Sequence, residues 1–161
     1  MSFNRKKVVI FISLLLVSLL TLSGCGSSND DSVLDTERKT TATSTVNNFL
    51  SAILEGNVDK IETYMSNYSF IYVSETGEEI NADQFLDNLD QGFSAGAIYY
   101  AIGIDNINSE LITSSEVKVT GLLKTYGKYP DGRDFSDTNA VEFRVKNIRG
   151  AWLITKMKES S

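Results

Sequence analysis

The sequence predicts an α+β domain in which N-terminal helices pack on a curved antiparallel sheet. Two patterns predict this class. Apolar residues recur at helical spacing soon after residue 44, and the second half of the chain alternates apolar and polar residues between short turns. Helices first and strands last is the order typical of a domain whose helices cover one face of an antiparallel sheet.

The first 24 residues have the three parts of a secretory signal peptide. A basic head, Arg5–Lys7, precedes the apolar run Val8–Leu22, which ends in the small residues Ser23 and Gly24. An uncleaved transmembrane helix is the alternative interpretation. However, the 17 residues Val8–Gly24 contain three serines and a threonine, and they fall short of the roughly 20 apolar residues of a membrane span.

The four residues Leu22-Ser23-Gly24-Cys25 resemble the lipobox of bacterial lipoprotein precursors. The resemblance implies that the Cys25 thiol receives a diacylglyceryl group, with palmitate among its acyl chains, and that a peptidase cuts between Gly24 and Cys25. Two acyl chains hold a protein on a membrane stably, whereas one chain binds only reversibly. We therefore expect a lipid anchor on the extracytoplasmic face of the cell membrane, or on the outer membrane in a Gram-negative source.

Residues 25–43 are predicted to be the lipidated N-terminus and a flexible linker, and residues 44–161 the folded domain. The linker segment Gly26–Thr43 is short of aromatic residues and rich in serine, threonine and aspartate. Such a chain reaches about 25 Å from its anchor, which clears the lipid head groups.

Charge and composition exclude several functions. The first 24 residues hold three of the 15 basic side chains and none of the 21 acidic ones, so the rest of the chain has a net charge of −9. This charge disfavours binding to nucleic acid. The chain has no histidine, which excludes Ser-His-Asp and Cys-His catalysis and the usual zinc sites. The acids of PDGRDFSD do not have the spacing of a calcium loop. No metal or cofactor is therefore predicted.

Three helices are predicted. The first has an apolar stripe at positions i, i+3, i+4, i+7 and i+8, formed by Val46, Phe49, Leu50, Ile53 and Leu54. Gly56 ends this helix, and Asn57 can cap the second one. The third helix begins at Asn81, whose spacing to Gln84 is typical of a capping box, and it stops at Gly92.

Five strand segments are predicted from β-branched and aromatic residues or from strict alternation. They are Ser69–Val73, Ile98–Asp105, Glu116–Lys124, Val141–Lys146 and Ala151–Lys158. The last four follow one another through short connections, with turn residues at Pro130–Gly132 and Asn147–Gly150. This arrangement predicts an antiparallel meander.

The segments TVNNFLSAILEGNVDKIETYMS and GAWLITKMK resemble the nuclear-transport-factor-2-like (NTF2-like, SnoaL-like or cystatin-like) superfamily over roughly Thr41–Lys158. The resemblance implies a cone whose wide end holds a pocket for small hydrophobic ligands, for catalysis or for protein contact. Enzymes of this superfamily use an acidic base or a His-Asp dyad. The chain has no histidine, and Asn67–Tyr72 offers no acidic residue, so no catalytic residue is predicted.

The candidate pocket residues are Phe49, Ile53, Tyr68, Tyr72 and Tyr100. Tyrosine combines an apolar ring with a polar tip, which suits a pocket for a small apolar ligand between the first helix and the sheet. Such a ligand requires a cavity of about 300 Å³ or more. Packing of these rings in the core or at its rim is the alternative.

Three functions stay open at this point. We favour a membrane-anchored, non-catalytic domain that binds a small ligand or an envelope protein. The alternatives are a small enzyme of the isomerase or dehydratase type, and an accessory or immunity-type subunit of an envelope complex. Two or more buried acids facing a cavity would favour an enzyme, whereas a filled apolar interior would favour protein contact.

Overall fold

The structure, a computed structural model, describes residues 30–160. The predicted signal peptide, the cleavage between Gly24 and Cys25 and the lipidation of Cys25 lie outside these residues. The chain divides into two units, Met1–Val33 and Leu34–Ser161, and the architecture below is that of the second. No helix within residues 30–160 is long and apolar enough to cross a membrane.

The described residues form three helices and six strands. The helices are α1 (Asp30–Leu54), α2 (Val58–Glu62) and α3 (Ala82–Ser94). The strands are β1 (Ile71–Val73), β2 (Glu79–Asn81), β3 (Ile98–Thr113), β4 (Glu116–Lys128), β5 (Asp134–Ile148) and β6 (Ala151–Ser160). The predicted caps are present: the Asn57 side chain accepts from the Lys60 amide, and Asn81 and Gln84 form a capping box at α3.

Helix α1 begins much earlier than the sequence predicted. Residues 30–43 were expected to be a flexible linker, but they are helical from Asp30 onward. Composition suggested that this segment has nothing to pack against. In the structure, Ala42 is fully buried, and the Thr43 hydroxyl lies 2.8 Å from the hydroxyl of Ser109 on β3. Tertiary contact at Ala42 and Thr43 therefore supports the last residues of a segment whose own helix propensity is low.

The six strands form one sheet in the order β2-β1-β6-β5-β4-β3. Strands β3 to β6 make the predicted antiparallel meander. Strand β1 pairs in parallel with β6, so the sheet is mixed rather than antiparallel throughout. Alternation reveals strands but not long-range partners, which is why this pair was not predicted. The short strand β2, which pairs with β1, was also missed.

The sheet curves around the helices because its long strands are irregular. The β3–β4 ladder shifts register at three places, and Asn106 in β3 has a positive φ of 54°. Such bulges bend a strand and increase its twist. At Gly121 on β4, a Cβ would lie 2.6 Å from the Asp105 carbonyl oxygen of the neighbouring strand, so the curved pair leaves no room for a side chain.

The core lies between α1 and the inner face of the sheet. Phe49 is fully buried, and its ring centroid lies 6.2 Å from those of both Phe85 on α3 and Phe143 on β5. The other large, fully buried side chains are Leu50, Ile61, Ile154, Val46, Val117, Val119 and Val145. Fully burying each of the larger ones contributes about 1.5–3 kcal/mol. The α+β class and the helix-covered, curved sheet are thus confirmed.

Candidate functional site

A cavity of about 240 Å³ lies between α3 and the inner face of the sheet, and we call it the inner cavity. Its apolar walls come from Ile53, Ile80, Phe85, Leu89, Ile102, Leu123 and Met157. Its polar lining consists of Tyr72, Asn88, Tyr99, Thr125 and Glu159. An apolar enclosure with a few convergent polar groups is the usual composition of a small-molecule site.

A second concavity, which we call the outer recess, adjoins the inner cavity and has a volume of about 350 Å³. The two share four lining residues, Tyr99, Leu123, Thr125 and Glu159. The recess is completed by residues of α3, of the loop before β3 and of the β4–β5 hairpin: Gly92, Ala97, Tyr129, Pro130, Phe135, Asp137 and Asn139. A ligand longer than the inner cavity can therefore extend into the recess.

Glu159 stands where the two spaces meet. It lies two residues after Met157 on β6, and this spacing puts both side chains on the same face of the strand. Its Oε1 accepts a hydrogen bond from the Tyr72 hydroxyl at 3.2 Å, and its Oε2 accepts from Asn139 Nδ2 at 3.0 Å. A carboxylate has about four acceptor positions, so each oxygen can still accept from a ligand.

The two tyrosines of the inner cavity keep their protons. Burial raises the pKa of Tyr72 well above its usual range, and the nearby Glu159 carboxylate raises it further. Burial, followed by the charge of Glu159, also raises the pKa of Tyr99. The Tyr72 hydroxyl is therefore a hydrogen-bond donor at neutral pH and not a base.

The structure brings two of the five predicted pocket residues to the inner cavity, Ile53 and Tyr72. Phe49 lies deeper, in the core between Phe85 and Phe143. Tyr68 is fully exposed and lies in a separate surface groove beside Arg149 and Leu153. Tyr100 is half-exposed and outside the lining, with its ring centroid 5.5 Å from that of Tyr126.

Tyr99 and Glu159 line the cavity but are not among the five predicted pocket residues, each for a definite reason. If the predicted strand Ile98–Asp105 alternated strictly, the side chains of Tyr99 and Ile102 would lie on opposite faces of the sheet. The register shift between Tyr99 and Ala101 moves both side chains to the cavity side. The last strand was predicted to end at Lys158, but β6 continues to Ser160 and carries Glu159 into the cavity. One more residue of alternation would have pointed to this carboxylate.

No metal site is evident within residues 30–160, where no group of three or more histidine, cysteine, aspartate or glutamate side chains is arranged to hold an ion. Among the described residues that line the inner cavity, Glu159 is the one acid. The lining therefore offers one carboxylate, two protonated tyrosines and an apolar wall. It can bind an apolar body and fix its orientation through one polar end.

Solved structures that resemble this chain have the NTF2-like fold. An NTF2-like protein of unknown function in nutrient uptake from Rhodospirillum rubrum matches with a TM-score of 0.65 and 17% identity, over 73% of this chain and 95% of that one. A ketosteroid isomerase-like protein from Erwinia carotovora matches with a TM-score of 0.65 and 10% identity, over 77% and 95%. The association domain of CaMKII from C. elegans matches with a TM-score of 0.63 and 14% identity, over 78% and 97%.

No protein-family model matches the sequence, and no curated protein matches it. The structural likeness is what defines the class: the domain has the NTF2-like fold, with the inner cavity between α3 and the sheet. Proteins with this fold include one described as isomerase-like and one that is an association domain, so the fold alone does not select a function.

The environment of Tyr72 predicts that its hydroxyl ionises only at high pH. We expect the difference between the alkaline titration curves of the wild type and Tyr72→Phe to have its midpoint well above pH 10, because burial and Glu159 both disfavour the phenolate. Tyrosinate absorbance measures the curve, and circular dichroism at each pH verifies the fold.

The same shift predicts how stability depends on pH. The pKa of Tyr72 is higher in the folded state than in the unfolded state, so the free energy of unfolding falls as the pH rises above about 10. It should fall less in Tyr72→Phe, which lacks this hydroxyl.

Glu159→Gln is the matched control, since it keeps the shape of the side chain and removes the charge. It should move the Tyr72 midpoint downward. A difference curve centred at or below pH 10 would contradict the placement of the Tyr72 hydroxyl against Glu159 in a buried site.

Proposed function

We propose that the protein is a lipid-anchored protein of the extracytoplasmic membrane face whose NTF2-like domain binds a small, largely apolar ligand without transforming it. The observation that carries the binding proposal is the inner cavity, in which seven apolar side chains surround a polar end formed by Tyr72 and Glu159. Burying about 100 Å² of apolar ligand surface contributes about 2.5 kcal/mol. The polar end supplies orientation.

The size of the site favours an elongated ligand. The inner cavity, at about 240 Å³, is below the roughly 300 Å³ expected for a ligand pocket. The adjoining recess adds about 350 Å³ across a shared lining of four residues. A ligand with its apolar body in the inner cavity and its other end in the recess uses both spaces.

An enzyme of the isomerase or dehydratase type is the second candidate. It is favoured by the pairing of a carboxylate, Glu159, with a protonated tyrosine, Tyr72, in an apolar cavity, since these groups can accept a proton and stabilise an oxyanion. One observation favours binding instead: the described lining of the inner cavity contributes no second acid beside Glu159.

The anchor proposal is supported by the sequence Leu22-Ser23-Gly24-Cys25 at the end of an apolar run. Helix α1 is described from Asp30 onward, within the segment predicted to be the linker.

The binding proposal predicts that filling the mouth of the inner cavity abolishes ligand uptake. Asn88 on α3 is exposed and lines the cavity, so Asn88→Trp places an indole in the opening without disturbing the core. The probe is the neutral fluorophore N-phenyl-1-naphthylamine, titrated into the mature chain made without signal peptide or lipid. We expect saturable binding to the wild type and at least about tenfold weaker binding to Asn88→Trp.

Asp87→Trp is the matched control, because Asp87 is exposed on the same helix and does not line the cavity. It should bind the probe like the wild type. Equal binding by all three proteins, or no binding by the wild type, would refute a ligand site in the inner cavity. In that event, contact with an envelope protein would become the leading function.

The anchor proposal predicts that Cys25→Ser abolishes both lipidation and processing. The full-length protein is expressed in a bacterial host with radiolabelled palmitate, and label and apparent mass are read from a gel. The wild type should be labelled and shortened, whereas Cys25→Ser should stay unlabelled at precursor size. Ser23→Ala keeps a small residue before the cleavage point and should behave like the wild type. Palmitate label on Cys25→Ser would refute the lipobox.

A further inference from the structure

The walls of the outer recess are aromatic and inclined to one another. The Tyr99 and Phe135 ring centroids lie 5.3 Å apart at an interplanar angle of 78°, and those of Tyr129 and Phe135 lie 4.9 Å apart at 47°. Inclined rings, unlike stacked ones, can form adjacent walls of an aromatic box, the arrangement by which proteins bind quaternary ammonium groups, because each ring face carries partial negative charge.

A glycine makes room for the central ring of this box. Gly127 on β4 pairs with Phe135 on β5, and a Cβ at Gly127 would lie 2.5 Å from the Phe135 ring. Any side chain at Gly127 would therefore displace Phe135. The missing side chain lets the ring lie across the neighbouring strand and close the recess on that side.

The charge of the recess has the sign that a cation requires. Asp137 and Glu159 line it, and among its described lining residues none is lysine or arginine. The nearby Arg133 places its guanidinium carbon 5.6 Å from the centre of the Tyr129 ring and pairs with Asp131 at 2.7 Å. The Tyr129 ring thus already accepts one cation, whose charge Asp131 balances.

We propose that the ligand of this protein carries an organic cation, a methylated ammonium group, which the outer recess holds between Tyr99, Tyr129 and Phe135 with Asp137 and Glu159 supplying the opposite charge. This inference rests on the proposed function, since the apolar body of the same ligand occupies the inner cavity. The shared residues Tyr99 and Glu159 join the two parts of the site.

The test compares two ligands of the same shape. The cation is meta-hydroxyphenyltrimethylammonium, and its neutral counterpart is meta-tert-butylphenol, in which carbon replaces the charged nitrogen. Each is titrated calorimetrically into the whole mature chain without lipid. The cation should bind at least about tenfold more tightly, because a desolvated cation over aromatic faces gains a stabilisation that a tert-butyl group lacks.

Three variants locate the effect. Asp137→Asn should weaken binding of the cation several-fold and leave the neutral ligand unchanged. Asp134→Asn, which removes an equal charge three residues away and outside the lining, should change neither. Phe135→Leu keeps an apolar side chain but loses the ring face, so it should reduce the preference for the cation. Circular dichroism and thermal unfolding verify that each variant is folded.

The outcomes separate this inference from the proposed function. If the neutral ligand binds and the cation binds no more tightly, the cation site is refuted while the apolar cavity stands. If neither ligand binds, the proposed function itself fails. If Asp137→Asn and Asp134→Asn weaken the cation equally, the preference is a general effect of net charge, and the recess is not its cause.

Discussion

The fold depends on the packing of Phe49 between α3 and the sheet. Its ring is fully buried, and it contacts Phe85 on one side and Phe143 on the other. Truncating a buried phenylalanine costs about 3–5 kcal/mol, a large part of the 5–15 kcal/mol that stabilises a typical domain. Through Phe85, this contact also sets the position of α3. The helix that forms one wall of the inner cavity is thus held by the core beneath it.

The cavity exists because the helices cover only part of the inner face of the sheet. Ile53 is the last buried residue of α1, and the helix stops just beyond it, at Leu54. Further along the sheet the lining changes from aliphatic to mixed, with Tyr99, Thr125 and Glu159 facing the open space. Polar side chains are tolerated in such a place because solvent or a neighbouring residue can form hydrogen bonds with them. Among the described residues, no buried side-chain polar atom lacks a hydrogen-bond partner.

Local patterns were sufficient to predict most of the elements, although not β2 or the start of α1, and tertiary contacts decided the rest. The stripe from Val46 to Ile53 and the alternation of β4 and β5 follow directly from burial of one face, so they were predicted correctly. The parallel β1–β6 pair joins segments far apart in the chain, and Thr43, at the end of the helical residues 30–43, contacts Ser109 on β3. Of the lining of the inner cavity, Ile53 and Tyr72 are among the predicted pocket residues because they lie on regular faces. Tyr99 is not, because a bulge reverses its side, and Glu159 is not, because the predicted strand ends at Lys158, one residue before it.

Methyl NMR of the mature chain tests most directly whether the wide end of the cone is the ligand site. With the neutral ligand meta-tert-butylphenol, the shifts should be confined to methyl groups that line the inner cavity, and those of Ile80, Ile102 and Leu123 should be among them. The methyl groups of Ile148 and Leu153, which border the separate groove beside Tyr68, should not move. Shifts at Ile148 and Leu153 with none at Ile80, Ile102 and Leu123 would contradict a ligand site in the cone.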